Sequence, residues 1–499
     1  MSSPQTEHAA VPPDREPRVA NGPRPAGRRL AHNFAVLSAA EGVSRGLTVL
    51  TALVAARALG PTLLGEVALA QTLAVYMSSF SDGGLTLLTY RRIVLAPEKL
   101  SRLVVDTTVV QLGLSIFVTT LIVIAALVMP FHSDTRALLI VFAPYTITQA
   151  LGLLYTVQAL ERMTSVAWIK IITQVATALP TVTLVLATRD PIWVAAGMVT
   201  GQLVGDAVNV VVLRRDGGFR LVKPDISAAP ALLRQGRALL GSLLLYNYAA
   251  SMDVLILSAL RTAHDVGEYT AAARLLNTVV ALSQVFVAAM MPELVRRHAE
   301  GRGRLENLAH RLTALTVRMT LILAAFAIVE SAPIIHVLYG GRYATSASLL
   351  SIMAIMMPLM WYAHLLGFIL VAAGRQRQFF TGLAATAVFT TVSYPVAAEV
   401  LGATGISITV CGAAAVLAGT YSGLARRHLG LAALRQGLRQ LPYGLVPAGT
   451  LLALHWVTPN QGFLVTLPVW ILSVVAVEAA AHWPTVLAFQ QIRRSDAVS

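Results

Sequence analysis

From about residue 33 to residue 483 the chain is a succession of apolar runs of roughly twenty residues, joined by short polar connections. About 20 helical residues cross the ~30 Å hydrocarbon core of a bilayer. Inside hydrocarbon every backbone N–H and C=O must find its partner within the protein, and a helix supplies that partner from its own segment. The runs lie near 33–56, 63–89, 103–129, 136–160, 166–187, 191–213, 237–258, 266–291, 308–330, 345–373, 378–398, 402–424, 441–457 and 463–483. The expected fold class is therefore all-α, a polytopic membrane protein with about 14 transmembrane helices. Composition argues against a soluble fold of this length. Only 12% of the 499 residues are Asp, Glu, Lys or Arg, whereas a soluble domain carries about 25%.

The connections orient the chain. Of 38 Lys and Arg, 31 fall in the two tails, in every second connection or in the half of a run next to it, and only Arg57, Arg136, Arg189, Arg261 and Arg342 fall on the other side. Arg45 and Arg274 lie within runs. Basic residues concentrate on the cytoplasmic side of membrane proteins, so both termini are expected in the cytoplasm. A missed helix would invert the bias downstream, and no inversion occurs. The net charge of +14 is dispersed between apolar runs, which speaks against a nucleic-acid partner and for contact with anionic lipids. The connections at about 214–236 and 292–307 are the largest cytoplasmic ones. Cys411 is the sole cysteine. No His, Cys and carboxylate set has metal-ligand spacing. The first external connection is about seven residues long and leaves no room for a catalytic domain.

An internal repeat accompanies the runs. At an offset of 202, Gly65-Glu66 aligns with Gly267-Glu268, Ala70 with Ala272, Leu73 with Leu275, and Arg45 with Asn247. Transporters are often built from such repeats, with the site near the bilayer midplane between them.

Several motifs resemble the polysaccharide flippases of the multidrug/oligosaccharidyl-lipid/polysaccharide exporter superfamily. In the first half they are Ala55-Ala56-Arg57-Ala58-Leu59-Gly60-Pro61, Gly65, Ala68-Leu69-Ala70 and Ser81-Asp82-Gly83-Gly84-Leu85. In the second half they are Asp253, Val266-Gly267-Glu268-Tyr269, Ala272, Arg274, Pro292, Leu338-Tyr339-Gly340-Gly341-Arg342-Tyr343 and Ala372-Ala373-Gly374-Arg375. The resemblance covers roughly 33–430. It implies two six-helix lobes, 31–214 and 232–430, forming a V around a central cavity. Two trailing helices at 440–484 and cytoplasmic tails at 1–30 and 485–499 complete the chain; the N-terminal tail reads as disordered. The resemblance further implies that the chain moves undecaprenyl-diphosphate-linked oligosaccharide between leaflets of the bacterial inner membrane, for O-antigen, lipopolysaccharide or exopolysaccharide synthesis. The implied partners are that lipid-linked diphosphate, membrane lipids and a coupling H+ or Na+, without a cofactor.

A diphosphate crossing hydrocarbon needs cationic partners, and the planar guanidinium matches phosphate oxygens. Charges within spans are costly and face a cavity or a partner. Arg45 and Arg274 are thus the expected substrate cations, facing one central cavity. The alternative for Arg45 is an ion pair with Glu41, four residues earlier on the same helix face. The alternative for Arg274 is snorkelling to the outer surface. Asp253 is expected either to load a coupling ion or to pair with Arg274. Asp82, before Gly83-Gly84, either takes part in coupling or satisfies donors at a helix break. Asp106, Asp206 and Glu399 are expected at headgroup level, and His364 as a satisfied structural residue. Two other readings compete: a cation-coupled multidrug antiporter of the same superfamily, and a polyprenyl-dependent glycosyltransferase or polymerase. The intramembrane arginines favour an anionic cargo over the first. The short external connections disfavour the second, so no enzyme activity is expected.

Overall fold

The computed structural model describes residues 26–216 and 218–430, with isolated positions between 439 and 472. The expected helices at 440–484, the tail at 485–499 and residues 1–25 lie outside the described residues. The first helix begins at Ala26, inside the segment expected as tail.

The elements are α1 (Ala26–Leu59), α2 (Pro61–Asp82), α3 (Leu85–Leu95), α4 (Leu100–Val128), α5 (Ser133–Phe142), α6 (Tyr145–Leu151), α7 (Leu154–Ala159), α8 (Met163–Thr188) and α9 (Ile192–Asp216). After a linker come α10 (Ala229–Leu260), α11 (Ala263–Ala299), α12 (Arg302–Val329), α13 (Ser331–Tyr339), α14 (Ala344–Ala354), α15 (Met356–Ala372) and α16 (Gln376–Leu429). No strand occurs among the described residues. Nine of the described helices are long and apolar enough to cross a bilayer, or eleven crossings when two bent pairs each count once.

That count takes α16 as a single helix, yet 54 residues would extend about 80 Å at 1.5 Å per residue, far beyond the bilayer. Gly402 breaks it, with φ 62° and ψ −138°, a conformation that needs glycine. A Cβ on Gly405 would overlap the Ala397 carbonyl oxygen, one on Gly412 would lie 3.1 Å from the Phe389 ring, and one on Gly382 would overlap the Tyr421 ring. These pairs have nearly constant index sums, the signature of an antiparallel hairpin. The Tyr421 hydroxyl closes it by donating to the Phe379 carbonyl at 3.0 Å. The hairpin adds one crossing, giving twelve among the described residues, as expected for 31–430.

Three expected helices are broken. The 63–89 run splits into α2 and α3 at Gly83 and Gly84, both left-handed at φ 60° and 73°. The 136–160 run becomes α5, α6 and α7, interrupted at Ala143-Pro144 and Gly152-Leu153. In the 345–373 run, α14 and α15 meet at a 43° bend.

Helices α8 and α9 pack through a small-residue ladder. Gly197, Gly201 and Gly205 face Thr181, Thr177 and Thr173, and a methyl on any of these glycines would overlap the facing hydroxyl. Lipid tails are as apolar as leucine, so close van der Waals fit supplies the attraction between such helices. Each of those threonines is four residues from the next, and Thr177 and Thr181 donate back to Thr173 and Thr177 carbonyls.

Helices α1–α9 form one bundle and α10–α16 a second, with hydrophobic clusters within each. A further cluster, containing Ala56, Leu64, Ala68, Tyr269 and Ala272, joins the two. At the arginine-poor face a Cβ on Gly65 would overlap the Ala263 carbonyl, and one on Gly267 the Pro61 carbonyl. The repeat-related glycines thus let the starts of α2 and α11 touch backbone to backbone. At the arginine-rich face a Cβ on Gly84 would overlap the Gly236 carbonyl and lie 2.6 Å from the Leu240 nitrogen. Asn247 adds a 2.7 Å bond to Ser79. In the linker, the Ser227 hydroxyl and the Arg102 guanidinium hold the Asp225 carboxyl below the usual carboxylate range.

Candidate functional site

Arg274 extends from α11 into the first bundle. It lines a cavity of about 80 Å³ between α1, α2, α8 and α9, together with Gln71, Gln174, Thr48, Thr51 and Thr177. Its Nη2 donates to Gln71 Oε1 at 2.9 Å, and no ion pair of Arg274 exists among the described residues. Tyr339 and Tyr343 lie beside it, buried, but their hydroxyls are spent on the Ala271 and Ala56 carbonyls. Snorkelling to the surface does not occur. A guanidinium without a counter-charge among the described residues is held against amides and hydroxyls where the two bundles meet.

Arg45 does not line that cavity. Its Nε donates to Glu41 Oε1 at 2.9 Å, and Glu41 Oε2 accepts from Lys170 Nζ of α8 at 2.7 Å. The expectation that Arg45 and Arg274 share one cavity is therefore corrected. The reason is periodicity: Glu41 and Lys170 fall on the facing stripes of α1 and α8, so a carboxylate captures Arg45 before the cavity begins. The group of two cations and one anion keeps a net positive charge. Positions 45, 48 and 52 of α1 and 170, 174, 177 and 181 of α8 share those stripes. A polar strip thus runs from this group to the cavity holding Arg274.

Asp253 does not pair with Arg274. Its Oδ2 accepts from the Tyr269 hydroxyl at 2.6 Å and its Oδ1 from the Val254 amide at 2.8 Å. The side chain lines a second cavity of about 420 Å³ between α10, α11, α15 and α16, with Tyr246, Asn277, Gln284, His364 and Tyr394. His364 Nδ1 is 2.6 Å from Ser283 Oγ, so this histidine is satisfied and also lines a cavity, which its isolated place in an apolar run did not reveal. Asp82 serves the α2–α3 break: Oδ2 accepts from the Gly84 amide at 3.1 Å and Oδ1 from Gln111 Nε2 at 3.0 Å. Asp106 pairs with Arg102 and accepts from the Asp225 amide at 2.8 Å. Asp206, expected at headgroup level, is instead buried at 5% exposure. The break in the neighbouring 136–160 run brings α6 and α7 over it.

Sequence reasoning missed Gln71, Gln174 and Lys170. The amides carry no charge to draw the eye, and Lys170 sits at the edge of an apolar run where it reads as a connection. Its spacing of four from Gln174 was the available signal.

The profile of the polysaccharide biosynthesis protein family matches residues 30–298, more than half of the chain. The chain belongs to this family. Its fold is that of a lipid II flippase, MurJ, solved in an inward closed conformation, with a TM-score of 0.74, 12% identity, 91% of this chain and 100% of that one covered. An inward-facing multidrug resistance MATE family transporter of the MOP superfamily matches at TM-score 0.56, 15% identity, 83% and 99% coverage. A MOP superfamily transporter from Pyrococcus furiosus matches at 0.51, 14%, 81% and 95%. At these identities the likeness is one of fold. A search of curated proteins returns no match. The family and the twelve crossings among the described residues make this a multi-pass membrane protein of polysaccharide biosynthesis.

Proposed function

We propose that the protein moves undecaprenyl-diphosphate-linked oligosaccharide from the cytoplasmic to the periplasmic leaflet of the bacterial inner membrane, by alternating exposure of the space between its two bundles. The observation that carries this reading is Arg274: a guanidinium with no counter-charge among the described residues, at the bundle interface, in a member of the polysaccharide biosynthesis protein family. A buried cation without an anion is costly. An anionic cargo that enters, is neutralised and leaves accounts for keeping it.

The arginine-rich face is the cytoplasmic one in this reading, by the bias in the connections. The diphosphate meets the net-positive Glu41, Arg45 and Lys170 group first, then the hydroxyls and amides of the strip, then Arg274. Both faces are closed here, by Gly65 and Gly267 at one end and by Gly84 and Gly236 at the other. Each closure centres on a backbone contact at glycine and is tied by side-chain hydrogen bonds across the interface, Asn247 to Ser79 at one face and Tyr343 to Ala56 at the other, so rotation of one bundle on the other must break these bonds to open it. Asp253, in the second bundle's cavity, would take the coupling H+ or Na+. That cavity, with one carboxylate and several aromatic rings, also supports the multidrug antiporter as the second reading.

The test is transport. Full-length protein in liposomes should move a fluorescent undecaprenyl-diphosphate oligosaccharide between leaflets without changing its mass. Movement of an organic cation instead would select the antiporter, and a change of mass would place the protein among enzymes.

A further inference from the structure

Asp206 on α9 plays no part in the polar strip, and it is buried beside a helix break. Gln202 Nε2 donates to its Oδ1 at 3.1 Å. Its Oδ2 is buried and has no partner among the described residues. Asn209, one turn further along α9 and 2% exposed, has a buried Oδ1 that also lacks a partner there. Both atoms are acceptors when Asp206 is ionised. Two buried acceptors lie three residues apart on α9, and the described residues provide no donor for either.

The neighbouring elements supply no counter-charge. Tyr145 is the titratable group that faces Asp206 from α6. Gly152, at the α6–α7 break, would place a Cβ 3.7 Å from Oδ1. On α7, Tyr155 is buried with its own hydroxyl unpartnered. From α8, Thr173 and Thr177 meet α9 across its glycines, and Lys170, nearer the arginine-rich face, is engaged by Glu41. Asp82 of α2 is held by Gly84 and Gln111, and on α5 Arg136 donates to the Ala126 carbonyl. On α9 itself, Arg214 and Arg215 lie two turns away.

The arrangement is short of one hydrogen. Protonation supplies it, because a neutral carboxyl turns Oδ2 into a donor, and residues three apart on a helix are neighbours. We propose that Asp206 and Asn209 form a proton-binding site of the first bundle, occupied in this closed state and emptied when the α6–α7 break opens. Ten residues, about 15 Å along the axis, separate Asp206 from the arginine-rich end of α9 at Asp216. The broken helix beside it offers the route. The second half of the proposal, release on opening, rests on the transporter reading.

The experiment is infrared difference spectroscopy on the full-length protein in liposomes without any cargo, comparing wild type with Asp206→Asn and Asn209→Leu. At pH about 7, roughly three units above the ordinary Asp value, wild type should show a carboxylic C=O band that Asp206→Asn lacks. Asn209→Leu should shift that band, because its acceptor is gone. Replacing K+ by Na+ should leave it unchanged. Superimposable wild-type and Asp206→Asn spectra would overturn the proposal, as would a band abolished by Na+ at constant pH, which would mean a metal cation. Asn is isosteric with the neutral acid, so Asp206→Asn should unfold at the wild-type temperature. Should it fail to fold, the Asn209→Leu shift decides alone. Because no cargo is present, a band without transport leaves the site standing and removes the transport reading, and transport without a band does the reverse.

Discussion

Replacing Arg274 by Met separates function from stability more cleanly than replacing it by Ala. The guanidinium makes one side-chain bond, to Gln71, and has no ionic partner among the described residues, so its removal strands no buried charge. Met is unbranched and fills much of the same volume. Exchanging buried charge for apolar side chains of similar size is often neutral or stabilising, by about 1–4 kcal/mol. Against that stands the loss of the donor to Gln71 Oε1, about 1–3 kcal/mol when an acceptor is left bare. The two nearly cancel, so Arg274→Met should unfold within a few degrees of wild type in detergent. Transport should behave otherwise. One charge-assisted contact to a phosphate is worth about 1.5–3 kcal/mol, and each 1.36 kcal/mol is about tenfold in rate. Transport of the fluorescent lipid-linked sugar should therefore fall between roughly tenfold and a hundredfold, at unchanged membrane abundance. Arg274→Lys should rescue poorly, since a point charge lacks the planar fork. Full transport by Arg274→Met would refute the cationic role. Collapse of the protein at normal per-molecule transport would make the residue structural.

Three other substitutions test the framework. Gly201→Val should lower thermal stability by about 1–3 kcal/mol through overpacking, because the new side chain meets the Thr177 backbone as well as its hydroxyl; an unchanged unfolding temperature would deny the ladder. Gly402→Ala forces a side chain into a backbone region that costs about 1–3 kcal/mol, and a lower unfolding temperature with retained topology would verify the hairpin. Arg57→Ala should weaken closure of the arginine-poor face, because its guanidinium donates across the bundle interface to Leu338 and Val337. Cysteine labelling of nearby interface positions should then rise, while labelling in Arg136→Ala stays at the wild-type level.

The fold was legible because apolar length is read directly from the chain, and twelve of the fourteen expected crossings fall among the described residues. The breaks were less legible. Gly83-Gly84 announces itself, but Gly402 is an ordinary glycine until its φ of 62° shows why no other residue fits. The α8–α9 ladder was written as Gly197, Gly201 and Gly205 at spacing four, facing threonines at the same spacing, yet each half gains meaning only from the other. The site was half legible. Charge within a run singled out Arg45 and Arg274, and both lie in helices long and apolar enough to cross a bilayer. Sequence could not tell that a carboxylate on the same helix and a lysine on another would take up Arg45 and leave Arg274 to amides and hydroxyls.

The arginines of the sparsely charged face show how orientation and packing meet in one residue. Arg57 donates to the Val337 and Leu338 carbonyls at the end of α13. Arg136 donates to Ala126 in the last turn of α4, and Arg342 to Arg57 in the last turn of α1. Arg261 donates to Ala398 and Glu399, where the first arm of the α16 hairpin ends. The last carbonyls of a helix have no partner within it, and the negative end of the helix dipole favours a cation there. All four are thus fixed to helix ends, which explains why a face that disfavours basic residues keeps these. Two of them, Arg57 and Arg342, reach across the bundle interface, and Tyr343 joins them on the Ala56 carbonyl. Opening that face must strip donors from helix ends. Opening the other breaks the backbone contact at Gly84, the Asn247–Ser79 bond and the Arg92–Gln235 pair. The arginine-poor face is therefore held by more side-chain bonds, and under the proposed function an anionic cargo neutralising Arg274, set beside Tyr339 and Tyr343 of that face, would offset the difference.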